Sequence, residues 1–296
     1  MIHKKPGPIT DQLFFLGDDH IAMYLIKGQK YLIIGGGMSF SVPLVERQLD
    51  EFGIDRKRIY GLLILHSHFD HCTAVPYFQR AYPHLEIMGS AETKRIFGIP
   101  KAAELMSGFE ERARTMRGMG PSFKGIDLSF SPPKLTRVVG EGDQLDLGNG
   151  VVVRILEIPG HSKCCLGAYV PELKTLFPSD GAPIPVLEKD EMCIMANDDL
   201  PAYIESMERM SALEVEICAF EHGGVVSGEE ARSHIQRGLD AARSLREQLR
   251  ERLGKGESAE DLAREIMQRY TTGDHFDFIP DNVFLSVTKH MVSSAA

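Results

Sequence analysis

Short apolar runs that stop at a histidine or an aspartate recur along this chain. Leu62-Leu63-Ile64-Leu65 gives way to His66-Ser67-His68-Phe69-Asp70-His71. Residues 151–158, rich in β-branched side chains, give way to Pro159-Gly160-His161. Thr175-Leu176-Phe177 runs into Pro178-Ser179-Asp180-Gly181, and residues 215–220 run into Glu221-His222-Gly223-Gly224. Apolar runs of this length, bounded by turn residues, predict buried strands. A polar side chain at the point where such a strand turns can be aimed into a cleft.

Other segments supply helices and a hairpin. Residues 21–26 and 30–34 flank Lys27-Gly28-Gln29, a hairpin signal. Residues 41–52 predict a helix: Pro43 suits the first turn, Val45, Leu49 and Phe52 recur at spacings of four and three, and Gly53 stops it. Residues 74–82 predict a second helix, beginning beneath the histidine cluster. Between 100 and 135 the alternation breaks. A helical stretch there holds Phe109, Met116, Met119 and Phe123 together with Arg112, Arg114 and Arg117. Packing is the expected role of the apolar stripe and a solvated face that of the arginines. A lid over a cleft, meeting an anionic substrate, is the functional alternative. From Gly228 the chain turns helical, with Ile235, Leu239, Ala242, Leu245, Leu249 and Leu253 on one face and Gly254 and Gly256 as the stop. Ser258 is set to cap a second helix with Leu262, Ile266 and Tyr270 as its apolar face, and a last helix follows Pro280. These helices are placed either to cover a cleft or to pair two copies of the chain. The pattern fits an α+β fold in which two β-sheets pack together and helices flank them.

With 296 residues, 43% hydrophobic and 25% charged, the chain suits one large domain with an extension. We expect the domain over residues 1–228, with 100–135 as a lid insertion, and a helical extension over 229–296 packed on it. Net charge is −9 with no basic block, which argues against nucleic acid as a partner. No apolar run reaches the roughly 18 residues of a membrane span, and the charged N-terminus has no apolar stretch behind it to make a secretory signal. Cys72, Cys164, Cys165, Cys193 and Cys218 are odd in number and show no framework, so reduced thiols in a cytoplasmic protein are expected. Cys72 touches the histidine cluster in sequence, and a small buried hydrophobe is its expected role. The expected partner is a small-molecule substrate, with no membrane contact and a homodimer as the candidate assembly.

The histidine cluster changes the picture most. At 11 histidines in 296 residues, His-x-His-x-Asp-His would arise by chance in roughly one chain in a thousand. His66 and His68, two apart after a strand, can face one side and reach one ion. Asp70 and His71 follow as the chain turns and can face a second position. Neutral imidazole suits zinc, iron or manganese, and carboxylates suit harder ions. No cysteine stands at a ligand spacing, so a catalytic site with open positions is expected rather than a closed structural one. Taken singly, His161, Asp180 and His222 read as caps or turn residues; their order after the first motif gives them weight.

Together these stretches resemble the metallo-β-lactamase superfamily of hydrolases. The resemblance runs from Leu13-Phe14-Phe15-Leu16-Gly17-Asp18, through Gly142-Asp143-Gln144-Leu145-Asp146-Leu147-Gly148, to His222. It implies the αββα four-layer sandwich of that fold and two divalent metal ions, zinc first, with iron or manganese as alternatives. One ion would be held by His66, His68 and His161 and the other by Asp70, His71 and His222, with Asp180 bridging. A hydroxide between ions about 3.5–4 Å apart would attack a carbonyl, with Asp70 serving catalysis as well as the metal. A narrower similarity is to the quinolone-signal response thioesterases. It is carried by Gly36-Gly37-Met38-Ser39, His71-Cys72, and a tail holding Gly256-Glu257-Ser258 and Phe276-Asp277-Phe278-Ile279-Pro280. It implies hydrolysis of a thioester or ester such as an acyl-CoA. Glutathione thioester hydrolysis of the glyoxalase II type and lactone hydrolysis are the enzymatic alternatives, and an effector that retains the metal fold is the non-enzymatic one. The diiron oxygen reductases of the superfamily carry Glu in place of His68 and a flavodoxin domain, neither of which is found here.

Two departures stand out. The superfamily usually has an acidic residue before the glycine where this chain reads Ile34-Gly35-Gly36-Gly37. Glu221 precedes His222 where a small residue is common, and either orients His222 through its second nitrogen or faces solvent.

Overall fold

Two seven-stranded mixed sheets lie face to face in a computed structural model that describes residues 1–186, 191–270 and 279–296. In the first sheet the order from one edge is Arg137–Val138, Glu86–Gly89, Ile59–Leu63, Tyr31–Ile34, Ala22–Lys27, Leu13–Gly17 and Gly7–Pro8. The second runs Ile2–His3, Val225–Ser227, Ile217–Ala219, Thr175–Phe177, Leu166–Val170, Val151–Glu157 and Gln144–Gly148. The expected hairpin forms, pairing Leu25 with Ile33 and Lys27 with Tyr31.

Strand periodicity sorts the side chains into layers. In Leu13–Gly17, Leu13 and Phe15 enter the core between the sheets, where they join Tyr24, Leu63, Val153, Ile155 and Phe177. Phe14 and Leu16 point the other way, toward Val45 and Leu49 of helix α1 (Val42–Glu51) and Phe78 of helix α2 (Val75–Ala81). Both faces are apolar, so the strand reads as a continuous hydrophobic run. Helices α3 (Ala91–Phe97) and α4 (Pro100–Met116) add Phe97 and Met106 to that outer layer.

The second sheet is covered in the same way. Tyr169, Leu176, Cys218 and Val226 pack on Tyr203 and Met207 of α5 (Leu200–Ser211) and on Ile235, Leu239 and Ala242 of α6 (Glu229–Gly254). Leu262 and Ile266 of α7 (Ala259–Tyr270) and Met291 and Val292 of α8 (Asp281–Ser294) complete the layer. The four layers are therefore helix, sheet, sheet, helix, with the C-terminal helices in the outer layer of the second sheet. No described helix is long and apolar enough to cross a membrane.

Local signals behaved as their chemistry requires, with two differences. Ser258 Oγ accepts from the Glu260 and Asp261 amides at the start of α7. Gly254 falls inside α6, and the chain leaves the helix through Gly256 at φ +86°. The strand feeding the histidine cluster is Ile59–Leu63, ending two residues before the apolar run does; Ile64 still bonds to Met88 but Leu65 already turns toward the other sheet. Residues 276–278, part of the tail similarity, lie outside the described residues.

Candidate metal centre

Strand direction brings the four chemically loaded turns to one end of the sandwich. Val151–Glu157 and Thr175–Phe177 both pair antiparallel with Leu166–Val170, and Thr175–Phe177 pairs parallel with Ile217–Ala219. These three strands run the same way, so His161, Asp180 and His222 follow them at one edge. The sheets are clasped there: the Leu166 amide donates to the Leu65 carbonyl at 2.8 Å, and the Ala22 amide to the Glu221 carbonyl at 2.9 Å. That clasp carries the His66–His71 turn into the same space.

Local backbone fixes where the side chains point. Phe69–His71 forms a single 3₁₀ turn that turns Asp70 and His71 inward. Gly160 sits at φ +132°, and a Cβ there would lie 2.3 Å from the Tyr203 backbone, so only glycine lets the His161 turn pack on α5. Ser179 is buried in the left-handed region at φ +52°, an uncommon conformation for a non-glycine residue.

All seven predicted residues converge. His66, His68 and His161 form one group of ligand atoms, Asp70, His71 and His222 a second, and His66, His71 and Asp180 a third that links them; within each group the atoms lie within 4.8 Å of one another. Asp180 Oδ2 stands between the two histidine sets, 3.7 Å from His66 Nε2 and 3.4 Å from His161 Nε2 on one side. On the other it is 3.3 Å from His71 Nε2 and 3.9 Å from His222 Nε2. Asp70 Oδ2 lies 3.3 Å from His71 Nε2 and 3.4 Å from His222 Nε2.

Hydrogen bonds on the far side of the rings set their tautomers. His161 Nδ1 is 2.6 Å from the Met195 carbonyl, and His222 Nδ1 is 2.6 Å from the His20 carbonyl. A carbonyl only accepts, so both Nδ1 atoms carry hydrogen and both Nε2 lone pairs face the centre. Ser179 Oγ donates its one hydrogen to Glu221 Oε2 at 2.5 Å, so it must accept from His66 Nδ1 at 2.9 Å. His66 Nε2 is thereby left as a lone pair too. His68 presents Nδ1, 2.9 Å from His161 Nε2. Rings that donate outward and accept inward are the arrangement of metal-ligating histidines.

The fit to cations can be tested on charge and on polar satisfaction. Buried charge is costly without a counter-charge, and Asp70, Asp180 and Glu221 are all buried together. Burial raises the Asp70 and Asp180 carboxyls, but neighbouring imidazoles, His71 foremost, outweigh it and hold both well below the usual carboxylate range. Burial also works against a charge on His71, yet Asp70, Glu221 and Asp180 around it push it well above its ordinary value. Burial, with His161 and His66 beside it, drives His68 well down, and burial takes His161 to about 4, so these two are neutral donors at neutral pH. His66 Nε2 and Asp180 Oδ1 are buried with no hydrogen-bond partner among the described residues. Neutral imidazoles, ionised carboxylates and inward-facing orphan atoms together fit divalent cations.

A cavity of about 180 Å³ opens onto this centre. His68, Asp70, His161, Asp180 and His222 form its polar part; Phe69, Phe109, Met195, Val283, Phe284 and Val287 supply most of its apolar wall. Phe109 comes from α4, and Val283, Phe284 and Val287 come from α8, so both helical segments cover the cleft. Helix α4 is anchored by its own ion pair: Arg114 Nη1 donates to Glu110 Oε2 at 2.6 Å, and Ser39 Oγ donates to Glu110 Oε1. Arg114 is thus buried structure rather than a solvated face, while Arg117 lies over the Phe40 ring at 4.2 Å. Of the Met and Phe stripe only Phe109 reaches the cavity; Met119 and Phe123 pack as expected and Met116 is exposed. Cys72 is buried in the outer core of the first sheet and does not line the cavity.

Residues 16–222 match the model of the metallo-beta-lactamase superfamily. The chain belongs to this superfamily. Metallo-beta-lactamase fold-containing protein ST1585 of Sulfurisphaera tokodaii is 24% identical over 222 residues, which cover 73% of this chain and 78% of that protein. Metallo-beta-lactamase family protein TTHA1429 from Thermus thermophilus superposes with a TM-score of 0.65 at 18% identity, over 96% of this chain and 93% of its own. Metallo-β-lactamase MIM-1 from Novosphingobium pentaromativorans does so with a TM-score of 0.58 at 17% identity, over 85% and 92%. At these identities the structural likenesses establish the fold, and the histidine and aspartate clusters are consistent with the metal-dependent hydrolysis most members of the superfamily perform.

Glu221 lies where neither expectation put it. It is buried and turns away from both expected destinations: its carboxylate lies 3.5 Å from His66 Nδ1 and 3.4 Å from His71 Nδ1. A glutamate beside His222, after an apolar strand, was the signal in the sequence. The sheet crossing that aims it was not visible in the chain.

Proposed function

We propose that this protein is a dinuclear metal-dependent hydrolase of thioesters with an apolar acyl or aroyl group, of the acyl-CoA kind. His66, His68 and His161 would hold one ion, Asp70, His71 and His222 the other, with Asp180 between them. Bound divalent ions supply a hydroxide at neutral pH and polarise a carbonyl oxygen.

The protein's own side chains supply the rest. Asp70 and Asp180 stand as acceptors beside the reacting centre and keep a nucleophile oriented. The Met195 and His20 carbonyls hold His161 and His222 in the tautomer whose Nε2 lone pair faces inward. Phe69, Phe109, Val283, Phe284 and Val287 exclude water and offer an apolar surface to an acyl chain or ring.

The observation that carries the thioester reading is the composition of the cavity. Apart from the proposed ligand set, Asn197 is the only polar residue among the described lining, and a carboxamide is too weak an acid to protonate a leaving group. A thiolate leaves without protonation, whereas an alkoxide or amine does not. Steady-state assays on acyl-CoA, acyl-glutathione, lactone and phosphodiester panels test the proposal, alongside metal analysis of protein purified without added salts. Turnover of aroyl- or acyl-CoA above the rest is expected. Turnover of phosphodiesters alone would overturn it.

A further inference from the structure

Glu221 touches one imidazole from each proposed metal position. Through Ser179 it reaches His66: the serine accepts from His66 Nδ1 and donates to Glu221 Oε2. Its other oxygen, Oε1, faces His71 Nδ1 at 3.4 Å, and each of these two buried atoms lacks any hydrogen-bond partner among the described residues. The carboxylate is 1% exposed, so no bulk water competes for it.

Space for this carboxylate comes from the first sheet. Gly35, at φ +88° at the end of Tyr31–Ile34, has no side chain, and a Cβ there would stand 3.1 Å from Glu221 Oε1. The two positions approach each other from opposite sheets: a side chain at residue 35 would crowd the Glu221 carboxylate, and the positive φ there favours glycine as well. The strained backbone of Ser179 belongs to the same assembly, since its left-handed conformation places Oγ between His66 and Glu221.

We propose that Glu221 is a positioning residue shared by both metal positions, holding His66 by hydrogen bonds through Ser179 and His71 by the ion-pair contact of Oε1 with Nδ1, each ring with hydrogen on Nδ1, and with Gly35 left without a side chain to admit it. An orienting carboxylate behind a ligating imidazole is worth about 10–100-fold in metal affinity. One carboxylate serving two rings couples the two positions, so its loss weakens both.

The inference rests on the metal reading of the site, and cobalt titration of the full-length apoprotein against a competing chelator separates the two. If the wild-type chain takes up no cobalt, the metal reading fails. If it binds two equivalents, the variants decide the present point. Glu221→Ala is expected to weaken both equivalents by about 10–100-fold, and Ser179→Ala to weaken one. Retention of either equivalent within twofold in Glu221→Ala would overturn the proposal. Should that variant not fold, ¹⁵N-histidine spectra of the wild-type protein loaded with zinc, where a ligating ring is neutral, carry the same decision. Nδ1–H tautomers at His66 and His71 support the assignment, and an Nε2–H tautomer at either ring defeats it.

Discussion

Phe69 and Phe109 pack with ring centroids 5.0 Å apart and planes tilted by 32°, joining the histidine-rich turn to helix α4. Phe69 lies between two proposed ligands, and Phe109 is the only α4 side chain to line the cavity. Phe109→Ala removes one wall without touching a ligand. An aromatic pair of this kind is worth about 0.5–1.5 kcal/mol beyond its buried area. KM for an apolar acyl thioester should rise about tenfold with a smaller change in kcat, read from saturation kinetics.

Substitution within the ligand set should separate metal loading from folding. His68 is half-buried and lies at the mouth of the cavity, so His68→Ala should leave the far-UV circular dichroism unchanged while one equivalent of metal is lost. Asp180→Asn keeps the shape but halves the donor character at the shared position. Hydrolysis should fall by more than the roughly 100-fold that an outer orienting group costs. A variant with full metal content and full turnover would exclude Asp180 from the site.

The apolar wall from α8 can be tested by charge. Val287→Asp puts a carboxylate beside the cavity at a partly buried position. Catalysis on short acyl thioesters should survive, whereas affinity for long or aromatic acyl groups should drop about tenfold, the effect of about 1.4 kcal/mol. Comparing kcat/KM across an acyl-length series checks this.

Gly160→Ala should cost stability as well as activity. The added Cβ meets the Tyr203 backbone at 2.3 Å, and neither partner is a flexible side-chain end. A loss of about 2–4 kcal/mol is expected from overpacking together with an unfavourable φ. Denaturant titration would show a lowered midpoint at unchanged slope.

All five cysteines are buried and unpaired. Burial pushes the thiols of Cys72, Cys165 and Cys218 well up and that of Cys193 to about 12, so they stay protonated at neutral pH. Because the thiolate is the nucleophile, these groups should resist iodoacetamide in the native protein at about pH 8 and react on unfolding. Mass spectrometry before and after guanidinium treatment gives the count.

The clustered histidines and aspartates were legible in the sequence because each follows a strand, and a short apolar run bounded by turn residues declares where a strand ends. His161, Asp180 and His222 needed only the order of their motifs to be linked to His66. What the chain concealed depends on contacts between sheets and between distant helices. Glu221 looked like a neighbour of His222, and only the packing of the two sheets turns it toward His66 and His71. Arg114 showed its partner Glu110 at a spacing of four, but its burial depends on Ser39 and on Leu128, whose carbonyl it also contacts. Pro280 announced the helix that follows it, but the chain left open whether that helix covers a cleft or pairs two copies, which the packing beside the cavity bears on.

On the proposed reading, reactivity and much of the selectivity would come from different parts of this molecule. The donors issue from strand ends anchored in the sandwich, while the surfaces that would meet a substrate hang on α4 and α8, outside both sheets. Exchanging those two helical segments could re-tool the protein for a differently shaped molecule while the donor cage stays as it is. A graft confined to them, made on this scaffold, would change what is chosen without changing what is done to it.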